Sequence, residues 1–320
     1  MFLPRLLKRH PRVIISHRNS GIGDNLLAAA NTWRYAKQTN RALVIAWAPS
    51  RYLADKRENA FSHFFKVPES IGGVPVVAEP RIDRLSALLI LHPYFFSPRP
   101  DLHLIFYKVL SKLGMNTDNL FKRGMGRRQE ETDRVINNLI DVSQKIIVTH
   151  GCYGHDESLG PFFDALVLNE EFRKRADEFA EKHFRNKKVI GAHIRYYNRS
   201  MLLSDHTKYW LDQPGTLARC LDMVKKSAAG LEGSEYVVFL CTDSRTVQDF
   251  ISQSADNVVT YSKGFCSDGS KELHEELPVE TAEATIIEMF LLAKSDILVR
   301  FPPGSWFSHY ASLYAKKIIT

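Results

Sequence analysis

The chain has 320 residues, 44% of them hydrophobic and 25% charged. This ordinary globular composition excludes a disordered, collagen-like or coiled-coil protein and predicts two domains or one large one. The longest apolar run, at 42–48, has seven residues, well short of the about 20 that a membrane-spanning helix needs. Lys and Arg number 43 against 36 Asp and Glu, a net charge of +7, an excess that suits an anionic ligand such as a nucleotide sugar, a nucleic acid or a lipid headgroup.

The first twelve residues carry Arg5, Lys8, Arg9 and Arg12, no acid, and no apolar stretch of the secretory-signal kind. They read as a solvated basic tail, with weak membrane-surface contact as the alternative. A strand follows at 13–16, then the turn Gly21-Ile22-Gly23, then Asp24 as an N-cap. Leu26, Ala30 and Trp33 recur at helical spacing and predict a helix over 25–37. A strand at 42–47 completes a β–turn–α–β unit, the start of a parallel sheet. Further strands are predicted at 76–78 and 87–91, after which Pro93, Pro98 and Pro100 break the chain. Helices are predicted at 129–141 and 170–183, with a strand at 145–150 between them. Beyond Asn186 the alternation is clean. Strands fall at 188–195, 236–242, 258–261 and 297–301, and helices at 216–229, 245–254, 281–294 and 305–317. This is the pattern of a doubly wound α/β sheet. Two such halves predict two Rossmann-like domains facing a cleft, 1–184 and 185–320.

Cys152, Cys220, Cys241 and Cys266 form no CxxC pair, which argues against a zinc ribbon, a redox motif or a disulfide scaffold and suits a cytoplasmic protein with reduced thiols. The chain also has no G-x-x-x-x-G-K-[ST], no G-x-S-x-G and no H-E-x-x-H. No Asp-x-Asp pair is present to hold a divalent ion on a diphosphate. No metal is therefore expected, and the charge of any diphosphate falls to Arg, Lys and backbone N–H groups. The glycine turn lacks the third glycine of the dinucleotide fingerprint. It is either a tight βα turn or a helix N-terminus offering N–H groups to a phosphate or a sugar hydroxyl.

Three strand ends in the C-terminal half carry the chemistry. The first is His193-Ile194-Arg195-Tyr196-Tyr197-Asn198-Arg199. A planar guanidinium released at a strand's carboxyl end suits bidentate phosphate binding, the alternative being a structural Arg–carboxylate pair. His193, one step deeper, reads by itself as a hydrogen-bonded core histidine. The second end is Thr242-Asp243-Ser244, where Asp243 or Ser244 could cap the next helix. The third is Arg300-Phe301-Pro302-Pro303-Gly304-Ser305-Trp306-Phe307. Gly304 and Ser305 open a helix there and form either an anion seat or a plain cap. Glu288 lies in the C-terminal half of the preceding helix, where a carboxylate is electrostatically unfavourable, so a solvent-facing filler role fits it poorly. Together the three ends suggest a nucleotide-diphosphate site.

Several of these segments resemble the NodZ-type α1,6-fucosyltransferases, which are related to the eukaryotic core α1,6-fucosyltransferase. The segments are 15–24, 33–39, His193-Ile194-Arg195, 238–244, 289–293 and Arg300-Phe301-Pro302-Pro303 with Ser305. They follow the same order along most of the chain, and the likeness is weak between about 93 and 186. The resemblance implies a fold of the GT-B glycosyltransferase type with GDP-fucose held mainly by the C-terminal domain. It implies inverting, metal-independent transfer of L-fucose from GDP-β-L-fucose to O6 of an N-acetylglucosamine in a chitooligosaccharide. By position, Arg195 is then the catalytic cation on the diphosphate, and Ser305 bonds the same phosphate. His193 and Glu288 stand beside the guanine and ribose, where the family usually has Asp in place of Glu288. Asn198, Asp243 and Phe307 complete the donor-binding set. Gly21, Gly23 and Asp24 line the cleft. Arg199, Asp205 and His206 are candidates for the acceptor side. Where the wider family often has a second arginine, this chain has Tyr196.

The expected partners are a nucleotide sugar and an oligosaccharide acceptor, not nucleic acid, in the cytoplasm or at the inner face of the bacterial membrane. Two alternatives stand beside this reading. One is a transferase using GDP-fucose or another GDP-sugar on a lipopolysaccharide or O-antigen acceptor. The other is a non-catalytic nucleotide-sugar-binding protein.

Overall fold

The computed structural model describes residues 2–18, 20–48, 50, 52–82, 115–118, 145–149, 157–196, 215–231, 233–265 and 279–320. The elements predicted at 87–91 and 129–141 lie outside these residues. Two compact units emerge, Met1–Asn169 and Glu170–Thr320.

The described elements of the first unit are, in chain order, helix α1 (Phe2–Arg9), strand β1 (Val13–Ser16), α2 (Ile22–Gln38), β2 (Ala42–Ile45), α3 (Ala60–Phe64), β3 (Phe65–Lys66), β4 (Ser70–Ile71), β5 (Val74–Val77), β6 (Met115–Asp118), β7 (Ile146–Thr149), α4 (Gly160–Asp164) and β8 (Val167–Leu168). The main sheet runs β4-β5-β2-β1-β7-β6. It is parallel apart from the β4–β5 hairpin, whose turn uses Gly72 and Gly73 at φ 54° and 82°. β1, β2 and β7 are buried along their whole length, so they read as continuous apolar runs rather than alternating ones, as parallel central strands do.

Two expectations are corrected in this unit. Helix α2 starts a turn earlier than predicted, with Gly21 at the N-cap position, so Asp24 lies in the first turn and is not the cap. Its carboxylate there meets the positive end of the helix and accepts a hydrogen bond from Ser20 Oγ at 3.0 Å. The basic N-terminus is not a solvated tail. It forms α1, with Leu6 buried in the core beside Val13, Val44 and Val148, and Arg5, Lys8 and Arg9 exposed.

The second unit contains α5 (Glu170–Phe184), β9 (Lys188–Ile194), α6 (Thr216–Ala229), β10 (Tyr236–Thr242), α7 (Arg245–Ser254), β11 (Val258–Val259), α8 (Val279–Leu292), β12 (Ile297–Phe301), α9 (Trp306–Ser312) and β13 (Lys317–Ile319). The sheet is parallel, in the order β11-β10-β9-β12-β13. The chain winds outward from β9 in one direction and then from β12 in the other, a doubly wound Rossmann-like topology with its switch point between β9 and β12. One face of the sheet buries Ile190, Ala192, Ile194, Val238, Leu240, Val299 and Phe301 against α6 and α7.

The predicted domain boundary at 184/185 moves one helix earlier. α5 belongs to the second unit because Phe179 and Phe184 pack on Phe239 of β10, with ring centroids 5.5 and 5.4 Å apart. The predicted final helix 305–317 is also corrected. α9 ends at Ser312, and Lys317–Ile319 pairs with Ile297–Val299 as an edge strand. Its β-branched pair Ile318-Ile319 favours that extended form.

Candidate functional site

In an open α/β sheet the ligand crevice lies beyond the carboxyl ends of the strands at the switch point. In the second unit those ends belong to β9, β12 and the neighbouring β10. The register sets His193, Cys241 and Arg300 side by side, followed by Ile194, Thr242 and Phe301. Because strand residues alternate faces, the first trio points to one side of the sheet. The second trio contributes Ile194 and Phe301 to the core on the other side.

Arg195 leaves the end of β9 pinned at its backbone, its N–H donating to the Phe301 carbonyl at 2.7 Å. Its guanidinium lies 3.8 Å from Asp243 Oδ2, and both side chains keep about a quarter of their surface exposed. Asp243 Oδ1 accepts the Tyr196 N–H at 2.7 Å. Asp243 therefore ties the end of β10 to the chain leaving β9. It is Ser244 that caps α7, accepting the Val247 N–H. The two readings offered for that strand end thus divide between neighbours.

The third end is organised by Arg300, which heads the sequence motif but was given no role there. Its Nε donates to Ser308 Oγ and its Nη2 to the Ser305 carbonyl, each at 3.0 Å. Burial lowers its pKa. Its bonds hold Ser305 at the start of α9 in an extended conformation. Ser305 stands at the N-cap position, yet its side chain makes no capping bond. Its Oγ is buried with no partner, which counts against the plain-cap reading. An unmet buried hydroxyl is costly, and such groups in native proteins call for an explanation.

His193 is 5% exposed, and its ring lies 5.0 Å from that of Phe307 at a tilt of 34°. Its Nδ1 is buried without a hydrogen-bond partner, so the satisfied core histidine expected from the sequence is not what the structure holds. Burial pushes its pKa well below the ordinary value, helped by the positive charges of Arg195, Arg300 and Lys263. The ring is neutral at neutral pH.

Glu288, on α8, is 2% exposed and ion-paired with Lys263 Nζ at 2.5 Å. Burial holds its carboxyl above the ordinary value, while Lys263 pulls the other way. The sequence reading missed Lys263. It follows a two-residue strand and has no motif around it, so no sequence signal marked it.

Arg195, Asp243, His193, Ser305, Phe307 and Glu288 are therefore all borne by β9, the ends that follow β9, β10 and β12, and the helices α8 and α9 of one unit. Gly21, Gly23 and Asp24 belong to the other, at the start of α2, where Asn25 Oδ1 accepts the Ser20 N–H at 3.0 Å and Tyr52 Oη donates to the Ser20 carbonyl at 3.1 Å. Asn198, Arg199, Asp205 and His206 lie outside the described residues. Among the described residues, no group of three or more His, Cys, Asp or Glu side chains could hold a metal ion. No described helix is long and apolar enough to cross a membrane.

Residues 10–320 match the family described as Nodulation protein Z (NodZ). The chain belongs to that family. It is 29% identical over 312 residues to NodZ of Sinorhizobium fredii, covering 96% of this chain and 92% of that one. To NodZ of Bradyrhizobium diazoefficiens it is 30% identical, covering 96% and 80%. Among solved structures, fucosyltransferase NodZ from Bradyrhizobium is 28% identical, with a TM-score of 0.68 and coverage of 96% and 94%. NodZ α1,6-fucosyltransferase soaked with GDP-fucose is similar at a TM-score of 0.66, with the same coverage. POFUT1 in complex with GDP-fucose, 10% identical with a TM-score of 0.53, shares the fold. The fold class expected from the sequence, Rossmann-like α/β units of the GT-B fucosyltransferase type, is the one these NodZ structures have.

Proposed function

We propose that this NodZ-family chain transfers L-fucose from GDP-β-L-fucose to a hydroxyl of an oligosaccharide, with O6 of N-acetylglucosamine in a chitooligosaccharide as the acceptor. The observation that carries the reading is the Arg195–Asp243 pair beyond β9 and β10, with the unmet Ser305 Oγ beyond the adjacent strand β12 of the same sheet. NodZ has been solved with GDP-fucose and with GDP over nearly the whole of this fold, which supports the donor.

The chemistry follows from charge. As the C1–O bond of fucose breaks, negative charge grows on the β-phosphate, and a fixed cation aimed there lowers the barrier. Arg195 is that cation, held in direction by Asp243 and by its own backbone bond to Phe301. Ser305 Oγ, freed from capping, donates to the same phosphate. The mutually tilted rings of His193 and Phe307 stand beside the base and ribose. On this reading the acceptor hydroxyl attacks C1 from the opposite side and inverts it. The charge of the diphosphate is met by Arg195, Ser305 and the N–H groups at the start of α9, without a metal. The basic face of α1 adds a weak contact with anionic membrane surfaces.

The test is mass spectrometry of a mixture of protein, GDP-fucose and chitooligosaccharides in EDTA. The expected product is the oligosaccharide carrying one added deoxyhexose. Release of GDP and free fucose without that product would overturn the acceptor and favour a lipopolysaccharide or O-antigen sugar. Absence of both product and hydrolysis would overturn the enzymatic reading in favour of a nucleotide-sugar-binding protein.

A further inference from the structure

We infer that Lys263 is a positioning residue for nucleotide recognition, holding Glu288 ionised and oriented at the carboxyl ends of β9 and β10. The inference rests on the proposed donor reading together with the place that the family resemblance implies for Glu288, beside the guanine.

The pair is buried on both sides, with Lys263 4% and Glu288 2% exposed at the side chain, and Lys263 Nζ donates a charge-assisted hydrogen bond to Glu288 Oε2. Such a pair is a poor stabilising device. Desolvating two charges can cost more than their attraction returns, and apolar residues of similar size often do as well. Its place in the fold gives a better reason to keep it. Groups acting electrostatically on Glu288, or on the neighbours it shares, come from every element around it: His193 on β9, Cys241 and Asp243 at the end of β10, Lys263 after β11, and Arg195 and Arg300 beyond β9 and on β12. Lys263 is the cation in hydrogen-bonding contact with it.

Lys263 is itself braced. Two residues earlier, Tyr261 accepts Arg175 Nε at 3.3 Å and packs on Phe179 with centroids 5.4 Å apart. Arg175 in turn pairs with Glu283 on α8 at 2.7 Å. Two residues later, Phe265 lies 5.6 Å from Lys263 Nζ and 4.6 Å from the Arg245 guanidinium. The segment carrying the lysine is thus fastened to α5, α7 and α8.

An ionised carboxylate can accept both the N1–H and the exocyclic amine of guanine in a bidentate contact, whereas a protonated one loses an acceptor and adds a donor. Burial favours the protonated form of Glu288, and Lys263 opposes it. Without the lysine, GDP binding would require a carboxylate that burial keeps neutral.

The experiment measures GDP affinity from pH 6 to 9, and KM against kcat for GDP-fucose, in the wild type, Lys263→Met, Glu288→Gln and the double variant, each checked by thermal unfolding. Lys263→Met should weaken GDP binding about tenfold or more at pH 7 and recover affinity as pH rises, since the binding form is then the deprotonated one. Its KM should rise more than its kcat falls. In the Glu288→Gln background, removing the lysine should cost nothing further. If Lys263→Met alone does not fold, the double variant leaves no unpaired buried charge, and its affinity against that of Glu288→Gln still reads whether Lys263 acts on the nucleotide other than through Glu288. Full affinity in a folded Lys263→Met overturns the role of Lys263; if Glu288→Gln is weakened at the same time, the donor reading survives. Full affinity in Glu288→Gln overturns both. A further tenfold loss in the double variant beyond Glu288→Gln overturns positioning, because Lys263 would then be acting on the nucleotide itself.

Discussion

Single side chains divide here into those satisfied by the fold and those left waiting. Ser244 and Ser305 open two helices of the same unit, and both look like caps in sequence. Ser244 Oγ accepts Val247 N–H, while Ser305 Oγ has no partner. Ser305→Ala should therefore leave the melting temperature unchanged or slightly raised, because it removes a buried unmet group. It should raise KM for GDP-fucose about tenfold, the worth of one hydrogen bond to a charged oxygen. Thermal unfolding and initial-rate kinetics on the same preparation check both halves, and a lower melting temperature with unchanged KM would return Ser305 to a structural role. Arg195→Ala should lower kcat by about 10²–10³, as removal of one fixed charge-stabilising group does. Near-normal turnover would remove the mechanism proposed above.

Among the elements, β9 positions the rest. It pairs with β10 and β12 at the switch point, carries His193 and releases Arg195 just beyond its end. Its Gly191 is required by the turn after α8. A Cβ there would stand 2.1 Å from Ser295 Oγ and 3.0 Å from both Ser295 Cβ and Leu292 Cδ2. Gly191→Ala should destabilise the protein by about 1–3 kcal/mol, the usual cost of overpacking a tight contact. Urea unfolding measures this, and a loss below about 0.5 kcal/mol would mean that α8 shifts freely off the sheet. Asn40, Asn186 and Asn257, at φ 50°, 59° and 57°, each precede a strand, β2, β9 and β11. Asparagine tolerates this left-handed conformation better than most residues, and it lets the chain leave a helix and enter the sheet within a few residues.

For the whole molecule, the buried neutral histidines predict how stability follows pH. His17, at the end of β1, is 3% exposed, and burial pushes its pKa down to about 4 from 6.5. His193 shifts in the same direction. A folded-state pKa below the unfolded one means that the unfolded chain takes up more protons on acidification. The stability from keeping His17 neutral is thus whole above pH 6.5 and is lost as pH falls toward 4. The loss attributable to His17 is on the order of 3 kcal/mol, from about 1.4 kcal/mol per pKa unit. Denaturant unfolding at pH 7.5 and pH 5 should show the drop, and His17→Gln should flatten it. An unchanged unfolding midpoint between those pH values would show that His17 does not stay buried and neutral.

Much of the fold was legible in the chain itself. The strands Val13–Ser16, Tyr236–Thr242 and Ile297–Phe301 and the helices Thr216–Ala229 and Arg245–Ser254 have the bounds their periodicity predicts, because a buried parallel strand and an amphipathic helix each write their contacts into local spacing. The placement of Arg195 and Ser305 just beyond strand ends was legible for the same reason. Other features needed the tertiary structure. β13 and the grouping of α5 with the second unit depend on contacts between distant segments. The assignment of the cap to Ser244 rather than Asp243, and Arg300's grip on Ser305, depend on which groups meet in space. So does the Lys263–Glu288 pair, whose members are brought within hydrogen-bonding distance from separate elements. Local pattern sets the elements and the strand ends, whereas the pairing of buried polar groups is decided by packing, which no spacing along the chain encodes.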